Sequence, residues 1–361
     1  MKKVLAILVL MMVALAVPAY ASSESGEKDD QEMNIPEIIF EHLGDAYGWE
    51  VPFSHEHRIP LPVIVNDNNG GWHVFSSSRV TGGGTYDAGN GVVYRIAAGG
   101  DNDGKVVQVE ADGKEFRPMD LSITKDVAGL FVAAIIVLAV MLSLVRYYKR
   151  NGMKAPRKGM GAIEALVGFI YDGVIKDTLG EKAPKFAGYL LTAFFFIFTM
   201  NLLGLVVVFP GGANLTGNIA VTLVLAVCTF VVTNVKGNKH YWKDIFWPEV
   251  PLALKFPLPI MPVIELFGIF TKPAALCVRL FANMMGGHMI VIVLTLLIFI
   301  FAPFGAGVTA ASTVVSVVFS LFMLLLDVLV SFIQAFVFTM LSTLFISLAV
   351  AEPEHKEVEA A

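Results

Sequence analysis

The stretch Thr271–Met289, TKPAALCVRLFANMMGGHM, decides how the chain is read. It carries one arginine, Arg279, and runs on through IVIVLTLLIFIFAPF to Phe304 without another arginine, lysine or carboxylate. A charge at the centre of a bilayer costs from about 2.5–3.5 kcal/mol on insertion scales to roughly 10–17 kcal/mol in simulations. Such a residue is retained where it faces a partner or a water-filled cavity. The competing reading is an arginine that snorkels to the headgroups. Arg279 lies six residues beyond Pro273 but far from the other end of the segment, so snorkelling is open to one side only. A fixed cation with a function is the favoured reading.

Working outward, the chain is built for a membrane. Of 361 residues, 56% are hydrophobic and 16% charged, and several apolar runs reach the roughly 20 residues that a span needs. The net charge of −5 says little, because the charges gather outside these runs. Cys228 and Cys277 fall inside apolar segments, which argues against a disulfide framework. His42, His55, His57 and His73 lack ligand spacing, so no metal is expected. No GxxxxGK[ST] loop occurs, so no nucleotide cofactor is expected either.

Residues 1–21 read as a signal peptide. Lys2 and Lys3 precede an apolar core, Val4–Val17, and Ala19-Tyr20-Ala21 is an A-x-A cleavage site. A first transmembrane helix is the alternative, but the run is short and SSESGEKDDQEMN follows at once. Residues 22–126 are then an extracytoplasmic β-rich module. Its polar arm, 22–34, is followed by IPEIIFEHLGDAYGW as a short helix. RIPLPVIV, GWHVFSSSRV, GVVYRIAA and KVVQVEAD read as strands between glycine- and asparagine-rich turns.

Residues 127–350 form a transmembrane domain of about five spans plus surface helices. Ala128–Val145 is the first span. The basic cluster after it, Arg146 to Lys158, belongs on the cytoplasmic side by the positive-inside rule. Gly159–Lys185 is a surface helix, Phe186–Phe209 crosses outward, and Asn218–Val235 returns to Lys236, Lys239 and Lys243. The Asn214-Leu215-Thr216 sequon between them is read as chance. Beyond the proline-rich FWPEVPLALKFPLP come two apolar stretches, Met261–Phe304 and Val308–Val350, each of more than 40 residues. At 1.5 Å per residue, 40 residues make about 60 Å of helix against a hydrocarbon core of about 30 Å. Each is therefore broken or strongly tilted, with Pro303, Gly305 and Gly307 supplying the turn between them. The expected fold is an all-α polytopic membrane protein with a long tilted helical hairpin and a small β-rich extracytoplasmic N-terminal module. Residues 351–361 are a cytoplasmic tail.

Charges at membrane depth in this half are Glu265, Lys272, Arg279, His288 and Asp327. Glu265, Lys272 and Arg279 recur every seven residues and share a face of one helix, unless Pro273 interrupts it. Asn283 is on the face of Arg279, four residues on. His288, nine residues on, is about 180° round and roughly 13 Å further along. Asp327 and Gln334 share a face of the next helix. Arginine stays protonated and makes a fixed electrostatic element, whereas histidine and aspartate titrate and relay protons. A proton route interrupted by an arginine fits these types. An Asp327 neutralised by protonation in an apolar site, or paired with His288 for purely structural reasons, is the plainer alternative.

IELFGIFTKPAALCVRLFANMMGGH resembles the core signature of subunit a of the F-type ATP synthase, and SFIQAFVFTMLSTLFISLA resembles its last helix. The likeness runs over roughly 155–355, including GAIEALVGFIYDGV, TMNLLGL and TGNIAVTLVLA. It implies a proton-translocating stator subunit, not catalytic alone, forming two half-channels against the rotating c-subunit ring in a bacterial inner membrane. The remaining ATP synthase subunits, among them the b-subunit peripheral stalk, are the implied partners. Arg279 matches the essential arginine facing the rotor carboxylate, and Asn283 and Gln334 match polar residues beside it. His288 and Asp327 match a coupled pair in the periplasm-facing half-channel, in swapped order. Glu265 matches a carboxylate of the cytoplasmic exit. Where many relatives have asparagine before the Val-Thr pair this chain has Ala220, and Asn218 supplies the polarity instead. A proton-coupled secondary transporter and a membrane-anchored sensor are the alternatives. The first lacks a duplicated half, and the second leaves the Arg279 motif unexplained.

Overall fold

The computed structural model describes residues 44–51, 54–67, 71–89, 91–97, 99, 102–109, 114–152, 154–156, 159–206, 212–246 and 260–351. The expected signal peptide and polar arm, residues 35–43 of the expected short helix, His42, Arg157, Lys158, most of FWPEVPLALKFPLP and the tail from Glu352 lie outside the described residues, as do the side chains of His55 and His57. The chain divides into two compact units. The first comprises residues up to 133 with 202–215 and 286–328; the second comprises 134–201, 216–285 and residues from 329 on.

The N-terminal module is β-rich. Strands β1 (Gly48–Val51) and β2 (Ser54–Pro60) pair antiparallel. β3 (Pro62–Asn66) is central in the order β4-β3-β9, with β4 at Trp72–Ser76 and β9 at Met119–Asp120. β5 (Tyr86–Asp87), β6 (Val93–Ile96), β7 (Val106–Val109) and β8 (Glu115–Phe116) form a four-stranded meander. Inward-facing residues alternate along the strands, as a half-buried sheet requires. Val63, Val65, Phe75, Val80, Tyr94 and Val106 build the core. RIPLPVIV, read as one strand, is divided at Leu61 between β2 and β3. SSR of GWHVFSSSRV closes as a 3₁₀ turn, and Gly48 and Trp49, read within a helix, begin β1. The Tyr47 hydroxyl donates to the Asp120 carboxylate and accepts from the Val106 N–H at 3.3 Å, joining the β4-β3-β9 sheet to the meander. Burial, and then the Asp120 contact, push its phenol above the ordinary range.

Among the described residues, five helical segments are long and apolar enough to cross a membrane: Lys125–Asn151, Gly159–Leu205, Ile219–Lys236, Val263–Phe304 and Gly307–Val350. Helix α1 is Lys125–Asn151. It exposes Phe131, Ile135, Leu138 and Leu142, large apolar side chains suited to lipid. Helix α2 (Gly159–Ile170) passes through a π turn at Tyr171–Lys176 and two tight turns into α3 (Ala183–Leu205). Helix α4 is Ile219–Lys236 and the short α5 is Lys239–Phe246.

Helices α6 (Ile260–Phe301) and α7 (Ala306–Val350) span 42 and 45 residues without a break. Pro273 sits inside α6 and does not end it. At 1.5 Å per residue both exceed the roughly 30 Å core by about twofold, so an upright pose would strand apolar turns in water. That leaves strong tilt. The turn is Ala302–Phe304 closed by Gly305 at φ 108°, whereas Gly307, expected in the turn, already belongs to α7.

In the second unit, hydroxyls tie the helices together. Tyr189 Oη lies 2.8 Å from Thr229 Oγ1, which lies 3.4 Å from Ser342 Oγ. Such interhelical bonds replace the hydrophobic drive that lipid does not supply. The last carbonyls of α7, which have no partner within the helix, are also met: Lys182 Nζ and Asn238 Nδ2 donate to the Val350 carbonyl at 2.8 and 2.9 Å, and the Asn238 N–H to that of Ala349 at 2.8 Å.

Candidate functional site

In the second unit the unbroken α6 carries Glu265, Lys272, Arg279 and Asn283. Arg279 is exposed, and among the described residues it makes no hydrogen bond or ion pair. Asn283, one turn on, donates through Nδ2 to Oε1 of Gln334 on α7 at 2.5 Å. Gln334 is buried, so its amide oxygen depends on this donor. The two polar residues expected beside the arginine thus meet each other. Arg279 is left facing outward.

Glu265 is half-buried. Burial first, and then the Glu265 carboxylate, raise the pKa of Tyr241 on α5, which puts the two within electrostatic reach. Tyr241 also donates to Asn234 Oδ1 at 3.3 Å. These two residues share a cleft with Thr233, Lys272, Pro273 and Phe345. The ammonium of Lys272 stands 5.7 Å from the Phe345 ring centroid, a cation–π pair. Asn218 caps α4, its Oδ1 accepting from the Ala220 N–H at 3.0 Å, so its side chain serves the helix end.

In the first unit, Gly287 on α6 and Asp327 on α7 are in close approach: a Cβ added at Gly287 would lie 2.6 Å from Asp327 Oδ1. Only a residue without a side chain allows that carboxylate so near the α6 backbone. His288, next in sequence, is half-buried, as is Asp327.

One polar group went unread in the sequence. Asn201 on α3 is 2% exposed, accepts from Thr216 Oγ1 at 2.8 Å and reaches the Ser331 carbonyl at 3.5 Å. An asparagine within TMNLLGL was its only signal. Thr216 and Asn214 are both buried, which agrees with reading the sequon as chance.

A family model described as "ATP synthase A chain" matches residues 128–347, which is 220 of 361 residues. The chain belongs to the family of subunit a of the F-type ATP synthase. Similar relatives include the ATP synthase subunit a of Chlorobium phaeobacteroides (strain DSM 266), 40% identical over 78% of this chain and 81% of that one. That of Pelodictyon phaeoclathratiforme is 42% identical over 67% and 69%. That of Myxococcus xanthus is 41% identical over 66% and 76%. Members of the family are proton-translocating components of the synthase membrane sector and are not catalytic alone, and the transporter alternative is not favoured. The module lies outside the matched core: residues 38–124 match a "Domain of unknown function (DUF8433)".

Proposed function

We propose that the chain forms the stator wall of two proton half-channels, with Arg279 as the barrier between them. The observation that carries this reading is an exposed arginine, without an ion pair or hydrogen bond among the described residues, in the middle of an apolar helix. A lone guanidinium there is costly, so a carboxylate supplied by a neighbouring chain in the bilayer is what makes it affordable. The rotating c-subunit ring is that neighbour in this reading. Arg279 holds the ring carboxylate ionised between proton release and reloading, and its positive charge repels a proton crossing directly. Asn283 and Gln334 keep the surroundings of the guanidinium polar.

His288 and Asp327 relay protons on the periplasmic side, and Asn218 supplies polarity to the proton path. Glu265, beside Tyr241, serves the cytoplasmic exit. The mature N-terminus is periplasmic and the C-terminus cytoplasmic, in a bacterial inner membrane. The b-subunit stalk and the other synthase subunits hold the chain against the ring. ATP chemistry belongs to those partners.

The test is ATP-driven acidification of inverted vesicles carrying assembled complexes, wild type against Arg279→Ala and Arg279→Lys. Loss of pumping in both, with passive proton leak in the alanine variant, is the expected result. Coupled pumping at the wild-type rate in Arg279→Ala would make the arginine structural and overturn the reading.

A further inference from the structure

The outward face of the β4-β3-β9 sheet is apolar where a solvated sheet would be polar. The register sets Trp72 opposite Asn66 and Asn66 opposite Met119, and sets Val74 opposite Ile64, whose carbonyl accepts from the Leu121 N–H at 2.9 Å. Two cross-strand rows thus share one face. Trp72 is 54% exposed, Val74 64%, Met119 66% and Leu121 59%. Isolated exposed apolar residues mean little, but a contiguous group on one sheet face marks a contact surface.

The chain itself indicates what this surface meets. Residues beyond β9 stay zipped to β3, with Ile64 N–H donating to Ser122 Oγ at 3.0 Å and Ile123 N–H to the Pro62 carbonyl at 3.1 Å. Helix α1 begins two residues later, and its first turn is pinned to the module: the Lys125 N–H donates to the Ala46 carbonyl at 2.8 Å and the Asp126 N–H to Asp45 Oδ1 at 3.1 Å. Leu121 is therefore at most about 14 Å from the start of a membrane-spanning helix. The charge fits as well. Lys114 and Arg117, five and two residues before Met119, are exposed; Glu115 between them is paired with Arg95, and the one carboxylate of β9, Asp120, turns away to Tyr47. Apolar and aromatic side chains fringed by cations suit an anionic lipid interface.

We propose that this sheet face rests on the bilayer: Trp72, Val74, Met119 and Leu121 enter the headgroup–acyl boundary of the leaflet where α1 begins, and Lys114 and Arg117 face its phosphates. The module is then held at a set tilt by two attachments, the α1 junction and this face.

The experiment uses the full chain in nanodiscs containing phosphatidylglycerol and takes the fluorescence difference between wild type and Trp72→Phe as the Trp72 signal. Lipids brominated near the headgroup should quench that signal by about twofold or more, with iodide in the buffer having little effect. Lys114→Glu combined with Arg117→Glu should reduce the lipid quenching, as should a switch to neutral lipid. Iodide quenching without bromolipid quenching would put the face in water, and protection from both would mean that protein covers it. Either result overturns the proposal. Equal quenching in neutral lipid would overturn its phosphate part.

Discussion

Gly287 and Asp327 face each other across α6 and α7 so closely that a methyl group on the glycine would stand 2.6 Å from Asp327 Oδ1. The carboxylate has no room to yield towards α6, so Gly287→Ala must displace it. Proton flux should fall about tenfold, since sub-ångström misplacement of a reacting group costs rate steeply. Gly286→Ala is the matched control, because a Cβ there meets nothing within 4 Å. ATP-driven pumping in inverted vesicles checks this. Equal activity in the two variants would mean that the close approach does not matter for the proton path.

Asn283 and Gln334 also meet across α6 and α7, at 2.5 Å. A double-mutant cycle with Asn283→Ala and Gln334→Ala should give a coupling of about 0.5–1.5 kcal/mol in thermal stability of the detergent-solubilised chain. Gln334→Ala alone should cost less than Asn283→Ala, which orphans a buried amide oxygen. Additive effects would show that the contact is not made in solution.

Tyr47 is the link between two sheets, through Asp120 and the Val106 N–H. Tyr47→Phe leaves both partners unmet and should destabilise the module by about 1–3 kcal/mol. Faster protease cleavage within residues 44–124 of the full chain, with the helices still protected, is the expected reading.

The Tyr94 phenol is fully buried, and burial, followed by the Asp67 carboxylate, pushes it from 10.0 up to about 12. Between these values the folded state keeps a proton that the unfolded state has lost. Stability is therefore intact below the ordinary phenol value and falls as pH rises through the window. Urea unfolding followed by Trp49 fluorescence should show a lower midpoint at about pH 11 than at about pH 9, with a smaller loss in Tyr94→Phe.

Much of this protein was legible in the chain because hydrophobic runs are local. Span count, the length of α6 and α7 and the family resemblance all follow from which residues stand beside which, and the family match bears the resemblance out. Strands carried by apolar runs, β3, β4, β6 and β7, were likewise readable. The two-residue strands β5, β8 and β9 were not, since so short a segment pairs only where a neighbouring strand already offers its edge.

What tertiary structure decided are the relations between distant residues. Pro273 lies in a continuous α6 because packing overrides a local breaker. Asn283 meets Gln334, 51 positions away, and Gly287 makes room for Asp327. Asn201 finds Thr216 and Ser331 only once α3 and α7 are in place. Periodicity says which face a residue is on; which partner that face meets depends on how helices and strands pack, and no single segment contains that information.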